Sequence, residues 1–153
     1  MLKDLRGNVP TRVQKLAEGQ YDGIILAKAG LDRLDLDLTN FDLVRFNPKE
    51  FVPAPAQGVM AYQTHEENID IRNLFSQIHH AQTGLCTNVE RTVLKMMEGG
   101  CQMPLGVYCE LDQLGNYHAF AAYGQEDNII SAQASFSTHI GLAQNIFNQL
   151  SSN

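Results

Sequence analysis

Apolar residues recur at helical spacing at Val9, Val13 and Leu16, and the run stops at Gly19, a residue suited to the left-handed position after a helix. A short helix is predicted there. The next stretch, Tyr21-Asp22-Gly23-Ile24-Ile25-Leu26-Ala27, is almost continuously apolar, the pattern of a strand covered on both faces in a parallel or mixed sheet. Residues 35 to 56 lose this periodicity and hold Pro48, Pro53 and Pro55, each of which fixes φ and removes a backbone donor. This part is expected to connect two lobes, after which Gly58-Val59-Met60-Ala61-Tyr62 can be extended again. Pro55 and Gly58 on either side of Gln57 point to a close approach of the backbone to a neighbour.

From about residue 66 the pattern changes. Ile69, Leu74, Phe75 and Ile78 form one amphipathic helix, and Thr87-Asn88-Val89-Glu90 has the form of a capping box opening a second, carried on by Val93, Leu94 and Met97 to Gly99-Gly100. Pro104 to Leu111 and Tyr117 to Tyr123 alternate as strands around the turn Gln113-Leu114-Gly115-Asn116, and Ile129 to Phe136 reads as a third. A last helix puts Ile140, Ala143, Phe147 and Leu150 on one face after a Ser137 or Thr138 cap. The expected fold is a partial α/β lobe followed by a small α+β domain with a three-stranded sheet and helices. The expected divisions are 1–50, a hinge and return segment at 51–65, and 66–153.

Composition narrows the class of protein. At 153 residues, with 44% hydrophobic and 18% charged residues, the chain can bury a core, and disorder, collagen and coiled coil are excluded. A formal charge of −6 speaks against nucleic acid or an anionic membrane as partner. No apolar run approaches the roughly 20 residues of a membrane span, and a cytoplasmic location is the default expectation. The charge is uneven, however. Residues 1–33 hold Lys3, Arg6, Arg12, Lys15, Lys28 and Arg33 against Asp4, Glu18, Asp22 and Asp32, a local +2, so the remainder sums to −8. A basic corner on an acidic chain fits a small anionic ligand better than a polymer.

Two constellations could carry chemistry. Cys101 follows two glycines at a helix end and precedes Gln102-Met103-Pro104, a loop that could present a thiol, although a small buried filler is the commoner role for cysteine. A helix C-terminus does not lower a thiol pKa, so a self-activated nucleophile is disfavoured while an anchor point stays open. The filler reading is stronger for Cys86 and Cys109. Neither the three cysteines nor the five histidines have metal-ligand spacing, and no metal is expected. Arg6, Arg12 and Arg33 form the second constellation. Arginine's planar fork matches carboxylates, and Arg6 and Arg12 flank the start of the first helix, where anions are favoured; solvated surface charges are the alternative.

Five blocks, taken in order, resemble porphobilinogen deaminase, also called hydroxymethylbilane synthase. They are Arg6-Gly7-Asn8-Val9-Pro10-Thr11-Arg12, Tyr21 to Ala27, Ala29-Gly30-Leu31-Asp32-Arg33-Leu34, Pro53-Ala54-Pro55-Ala56-Gln57-Gly58, and Glu98-Gly99-Gly100-Cys101-Gln102-Met103-Pro104-Leu105-Gly106. The resemblance implies a transferase of porphyrin and heme biosynthesis that joins porphobilinogen units into a linear tetrapyrrole with release of ammonia. It implies a dipyrromethane cofactor bonded as a thioether to Cys101. By the same resemblance Arg6, Arg12 and Arg33 bind the carboxylate arms of cofactor and growing pyrrole chain, and Gln57 and Gly58 line the cleft. It further implies that this chain corresponds to the C-terminal portion of a longer protein whose catalytic aspartate precedes these blocks. No catalytic residue is therefore assigned here. The chain is expected to be inactive alone, with self-association or a complementing N-terminal segment as its protein partners. The alternative is an inactive pyrrole-binding or structural remnant.

Overall fold

The structure, a computed structural model, describes residues 3–100, 102–126 and 128–152. It falls into two compact units, Met1–Arg45 and Phe46–Asn153.

The first unit holds two short helices, α1 (Val9–Ala17) and α2 (Lys28–Leu34). Helix α1 lies where the apolar spacing placed it. Its end is closed by Gly19 N–H to Leu16 C=O (2.9 Å) and Gln20 N–H to Lys15 C=O (3.0 Å), the paired bonds that satisfy orphan carbonyls at a helix terminus. Helix α2 was not foreseen as a helix; its seven residues include Gly30 and are too few to show a period. The strand expected at 21–27 is not formed. A strand exists only by exchanging N–H and C=O groups with a neighbour, and among the described residues none runs beside this segment. Ile25 is accordingly 63% exposed.

The second unit contains α3 (Ile69–Ile78), α4 (Ala81–Met96), β1 (Leu105–Leu111), β2 (Tyr117–Gln125), β3 (Asn128–Phe136) and α5 (Leu142–Ser151). The strands form an antiparallel sheet in the order β1-β2-β3, with Val107 opposite Ala121 and Ala119 opposite Ala134. All three lie where the alternation predicted, and the α+β arrangement is as expected. Alternation sends Leu105, Val107 and Cys109 of β1 and Tyr117, Ala119 and Ala121 of β2 inward. There they join Cys86, Val89 and Val93 of α4 and Leu142, Ala143, Ile146 and Leu150 of α5 in one core. The alanines of the central strand leave room for the larger helix side chains, of which Leu142 and Ile146 are fully buried.

Three local expectations are corrected. Helix α4 starts at Ala81, capped by His80, whose Nδ1 accepts Thr83 N–H (3.2 Å) and bonds Thr83 Oγ1 (2.7 Å). Thr87–Glu90 therefore lies mid-helix and caps nothing, because an earlier cap was available. Helix α5 starts after Gly141 without a side-chain cap; Thr138 Oγ1 instead accepts Ile140 N–H at 3.3 Å, and Ile140 is exposed. Helix α3 forms as predicted, but Ile69, Leu74 and Ile78 remain exposed rather than packing on the sheet.

Candidate functional site

In the first unit, the segment Arg6-Gly7-Asn8 is folded back onto α1. Asn8 caps the helix, its Oδ1 accepting Thr11 N–H (3.0 Å) and Thr11 O–H (2.7 Å). Gly7 sits at φ +122°, a conformation that favours glycine, and a Cβ added there would crowd Thr11 Cγ2 at 3.0 Å. This turn lets Gly7 C=O accept from Arg12 Nε at 2.7 Å and Arg6 C=O accept from Lys15 Nζ at 3.0 Å. Tyr21 O–H donates to Asp4 C=O (2.7 Å), tying the 21–27 segment to the same region. Helix α2 meets the start of α1, since a Cβ at Gly30 would stand 3.5 Å from Val9 Cγ2.

Arg6, Arg12 and Arg33 thus share one unit, the first two at the start of α1 and the third on α2. The hydrogen bond that holds the Arg12 side chain among the described residues runs through Nε. Among the described residues none of the three guanidinium groups pairs with a carboxylate, whereas Lys28 is neutralised by Asp32 one turn away. Arg6 and Arg12 stand at the N-terminus of α1, where forked cations suit a ligand bearing carboxylates, while Arg33 lies in the last turn of α2.

Gln57 and Gly58 lie in the second unit. Pro55 and Ala56 occupy the central positions of a turn closed by Gln57 N–H to Ala54 C=O (3.1 Å). Ala56 adopts φ +61°, a region sparsely populated by residues with a Cβ. The preceding residues lie against the free edge of β1: Val107 N–H donates to Pro53 C=O at 2.9 Å, and a Cβ at Gly106 would lie only 2.5 Å from Val52 O. The close backbone approach falls at Val52 and Pro53 rather than around Gln57, where a Cβ at Gly58 would meet nothing within 4 Å. A cleft of about 430 Å³ opens beside the turn, lined by Gln57, His80, Thr83, Cys86, Glu90 and Tyr108 among others.

Glu90 is the site's unforeseen residue. It is buried on α4, and its two oxygens accept Ala56 N–H (2.7 Å) and Cys109 N–H (2.8 Å). Burial pushes its carboxyl pKa up, opposed by the two amide donors. The apparent capping box hid it. Once α4 is known to start at Ala81, Glu90 falls beside Val89 and Val93 on the buried face, where an acidic residue is anomalous. Cys86 and Cys109 are both buried in the core, and burial raises both thiol pKa values, in keeping with the filler reading. Cys101 lies outside the described residues. On either side of it, Gly99 N–H bonds Leu94 C=O (3.1 Å) after α4, and Met103 N–H bonds Gly100 C=O (3.0 Å) ahead of β1.

Comparison with known proteins places these units in a class. Residues 1–73 match the family model described as porphobilinogen deaminase, dipyromethane cofactor binding domain, and residues 84–139 match that described as porphobilinogen deaminase, C-terminal domain. Two consecutive domains of a cofactor-holding transferase family are thus represented, in order. Curated proteins named porphobilinogen deaminase are similar to the chain. That of Listeria monocytogenes serovar 1/2a is 42% identical over 106 residues, covering 69% of this chain and 34% of its own length. The Blochmanniella floridana protein is 42% identical over 111 residues (72% and 35%), and the Oceanobacillus iheyensis protein 41% over 114 (72% and 36%). This chain belongs to the porphobilinogen deaminase family, and its cofactor is the dipyrromethane of that family. It spans about a third of the length of the curated relatives it matches.

Proposed function

We propose that the chain is the C-terminal portion of a hydroxymethylbilane synthase, acting in porphyrin and heme biosynthesis, with the dipyrromethane bonded to Cys101 as a thioether. When bound, that group supplies the pyrrole end to which porphobilinogen units are added with loss of ammonia. Arg6, Arg12 and Arg33 grip its carboxylate arms, and Gln57 and Gly58 line the cleft in which it lies. Residues 1–50 form the end of the family's second domain, 51–65 the hinge, and 66–153 the domain bearing the attachment loop. The observation that carries the reading is the group of three guanidiniums in one unit with no carboxylate partner among the described residues.

The location that goes with this function is the cytoplasm. No described helix is long and apolar enough to cross a membrane. The chain alone does not turn over. Condensation develops positive charge on a pyrrole, and a positioned carboxylate in a closed cleft is the largest expected contribution to lowering that barrier. By family resemblance that carboxylate precedes the segments matched here. A separate segment of a porphobilinogen deaminase relative, covering residues ahead of the Arg6-Gly7-Asn8 motif, is the partner that completes it.

Co-expression with such a segment tests this. The pair is expected to form hydroxymethylbilane from porphobilinogen, Cys101→Ala is expected to abolish it, and the chain alone is expected to give no product. Turnover by the isolated chain at the rate of a complete enzyme, or full activity of the pair carrying Cys101→Ala, would overturn the proposal.

A further inference from the structure

Glu90 touches no residue to which the family resemblance gives a role, yet it joins three parts of the second unit at one carboxylate. It projects from α4, the helix that leads into Gly99-Gly100. One oxygen takes Ala56 N–H, in the turn that presents Gln57 and Gly58, and the other takes Cys109 N–H, in the strand that follows the attachment loop. A carboxylate is expensive to bury and is tolerated only with donors at both oxygens. A glutamine of the same shape could satisfy one amide but would set its own N–H₂ against the other.

The turn itself explains why so strong an acceptor is there. Ala56 holds φ +61°, which an alanine adopts only where its surroundings over-determine it. Pro55 fixes one side of the turn, and the Gln57 N–H to Ala54 C=O bond closes it. Both act on the backbone around Ala56 but leave its amide N–H to be satisfied from outside the turn, and the charged group bonded to that amide is Glu90. We infer that Glu90 is a positioning residue of the cofactor site, holding the strained Pro55–Ala56 turn so that Gln57 and Gly58 keep a fixed place relative to α4 and β1. This rests on the reading of Gln57 and Gly58 as cleft-lining residues, but the holding of the turn is a property of the chain itself.

Amide hydrogen exchange on the whole chain separates the two. In Glu90→Gln the amides of Ala56 and Gln57 should exchange at least about tenfold faster, while Val93 in α4 and Ala119 in β2 keep their protection. Glu90→Ala should exceed Glu90→Gln at the same two amides. Adding Ala56→Gly to Glu90→Gln should restore the protection of Gln57, because glycine takes the left-handed conformation without a clamp. Occupancy of Cys101 by dipyrromethane, read by intact mass, should fall in Glu90→Gln and recover in the double variant. Unchanged exchange at Ala56 and Gln57, or a uniform loss of protection through α4 and the sheet with no rescue by Ala56→Gly, would overturn the inference. A loosened turn with undiminished occupancy would overturn its link to the cofactor. An unmodified Cys101 in the unsubstituted chain would instead contradict the function proposed above and leave the exchange result to decide whether Glu90 holds the turn.

Discussion

Two carboxylates in the second unit both accept backbone amides, and their surroundings push them in opposite directions. Asp112, in the β1–β2 turn, accepts Leu114 N–H (2.9 Å) and Asn116 N–H (2.8 Å) and bonds His118 Nε2 at 3.0 Å. It keeps access to water, so these partners favour its charge, and the His118 bond leads in holding its carboxyl below the usual carboxylate range. Glu90 has two amide donors but is buried, and desolvation dominates. The consequences for stability have opposite signs. A lowered carboxyl adds stability that is present above its unfolded pKa, here 3.8, and is lost as the pH falls through the folded value. A raised one adds stability that is full below its unfolded pKa, 4.5, and is lost as the pH rises through the folded value. Asp112→Asn is therefore expected to melt below the unsubstituted chain at pH 7 and to converge with it as the pH drops below 3.8, followed by thermal denaturation across pH. A gap independent of pH would contradict this account of the turn.

Among the elements, those whose neighbours come from nearby sequence were legible. The three strands follow from alternation because each pairs with the strand next to it in the chain, and α1 and α3 follow from spacing that a single helix satisfies alone. The segment 21–27 failed because a continuously apolar run states a need for cover on both sides, and no partner strand stands beside it among the described residues. The start of α4 was misplaced because Thr87-Asn88-Val89-Glu90 satisfies the capping pattern, while the histidine that does cap the helix carries no such signature. At the site, the arginines and Cys101 were picked out by residue chemistry and by resemblance. Glu90 was not, since its role depends on Ala56 lying 34 positions earlier and Cys109 19 positions later. Docking of the 52–57 segment on the β1 edge requires the bare backbone of Gly106. Gly106→Ala would place a Cβ against Val52 O, and the strain of such overpacking is worth about 1–3 kcal/mol. Urea denaturation is expected to show a loss of that size, and an unchanged midpoint would mean that the contact is not made in solution.

At the scale of the whole molecule, apolar side chains remain uncovered in both units. Ile25 in the first, and Met60, Ile69, Leu74 and Ile78 in the second, are each more than half exposed. Isolated exposed residues are ordinary, but a set of this size on a short chain favours association. Light scattering at high concentration is expected to give a mass above the monomer's 17.0 kDa, falling when Ile69 and Ile78 are replaced by serine. A clean monomer throughout would contradict it. Self-association and complementation by a preceding segment would cover this surface in different ways, and a complementing segment should reduce the association.

The account depends above all on the sulfur of Cys101 being the tether of a pyrrole chain. Intact mass of the chain purified with its complementing segment, with peptide mapping, tests that most directly. The expected result is a dipyrromethane increment located on the peptide holding Cys101, absent from Cys101→Ala and depleted when Arg6, Arg12 and Arg33 are replaced together. A chain of unmodified mass that nonetheless forms product, or the same increment on another residue, would contradict it.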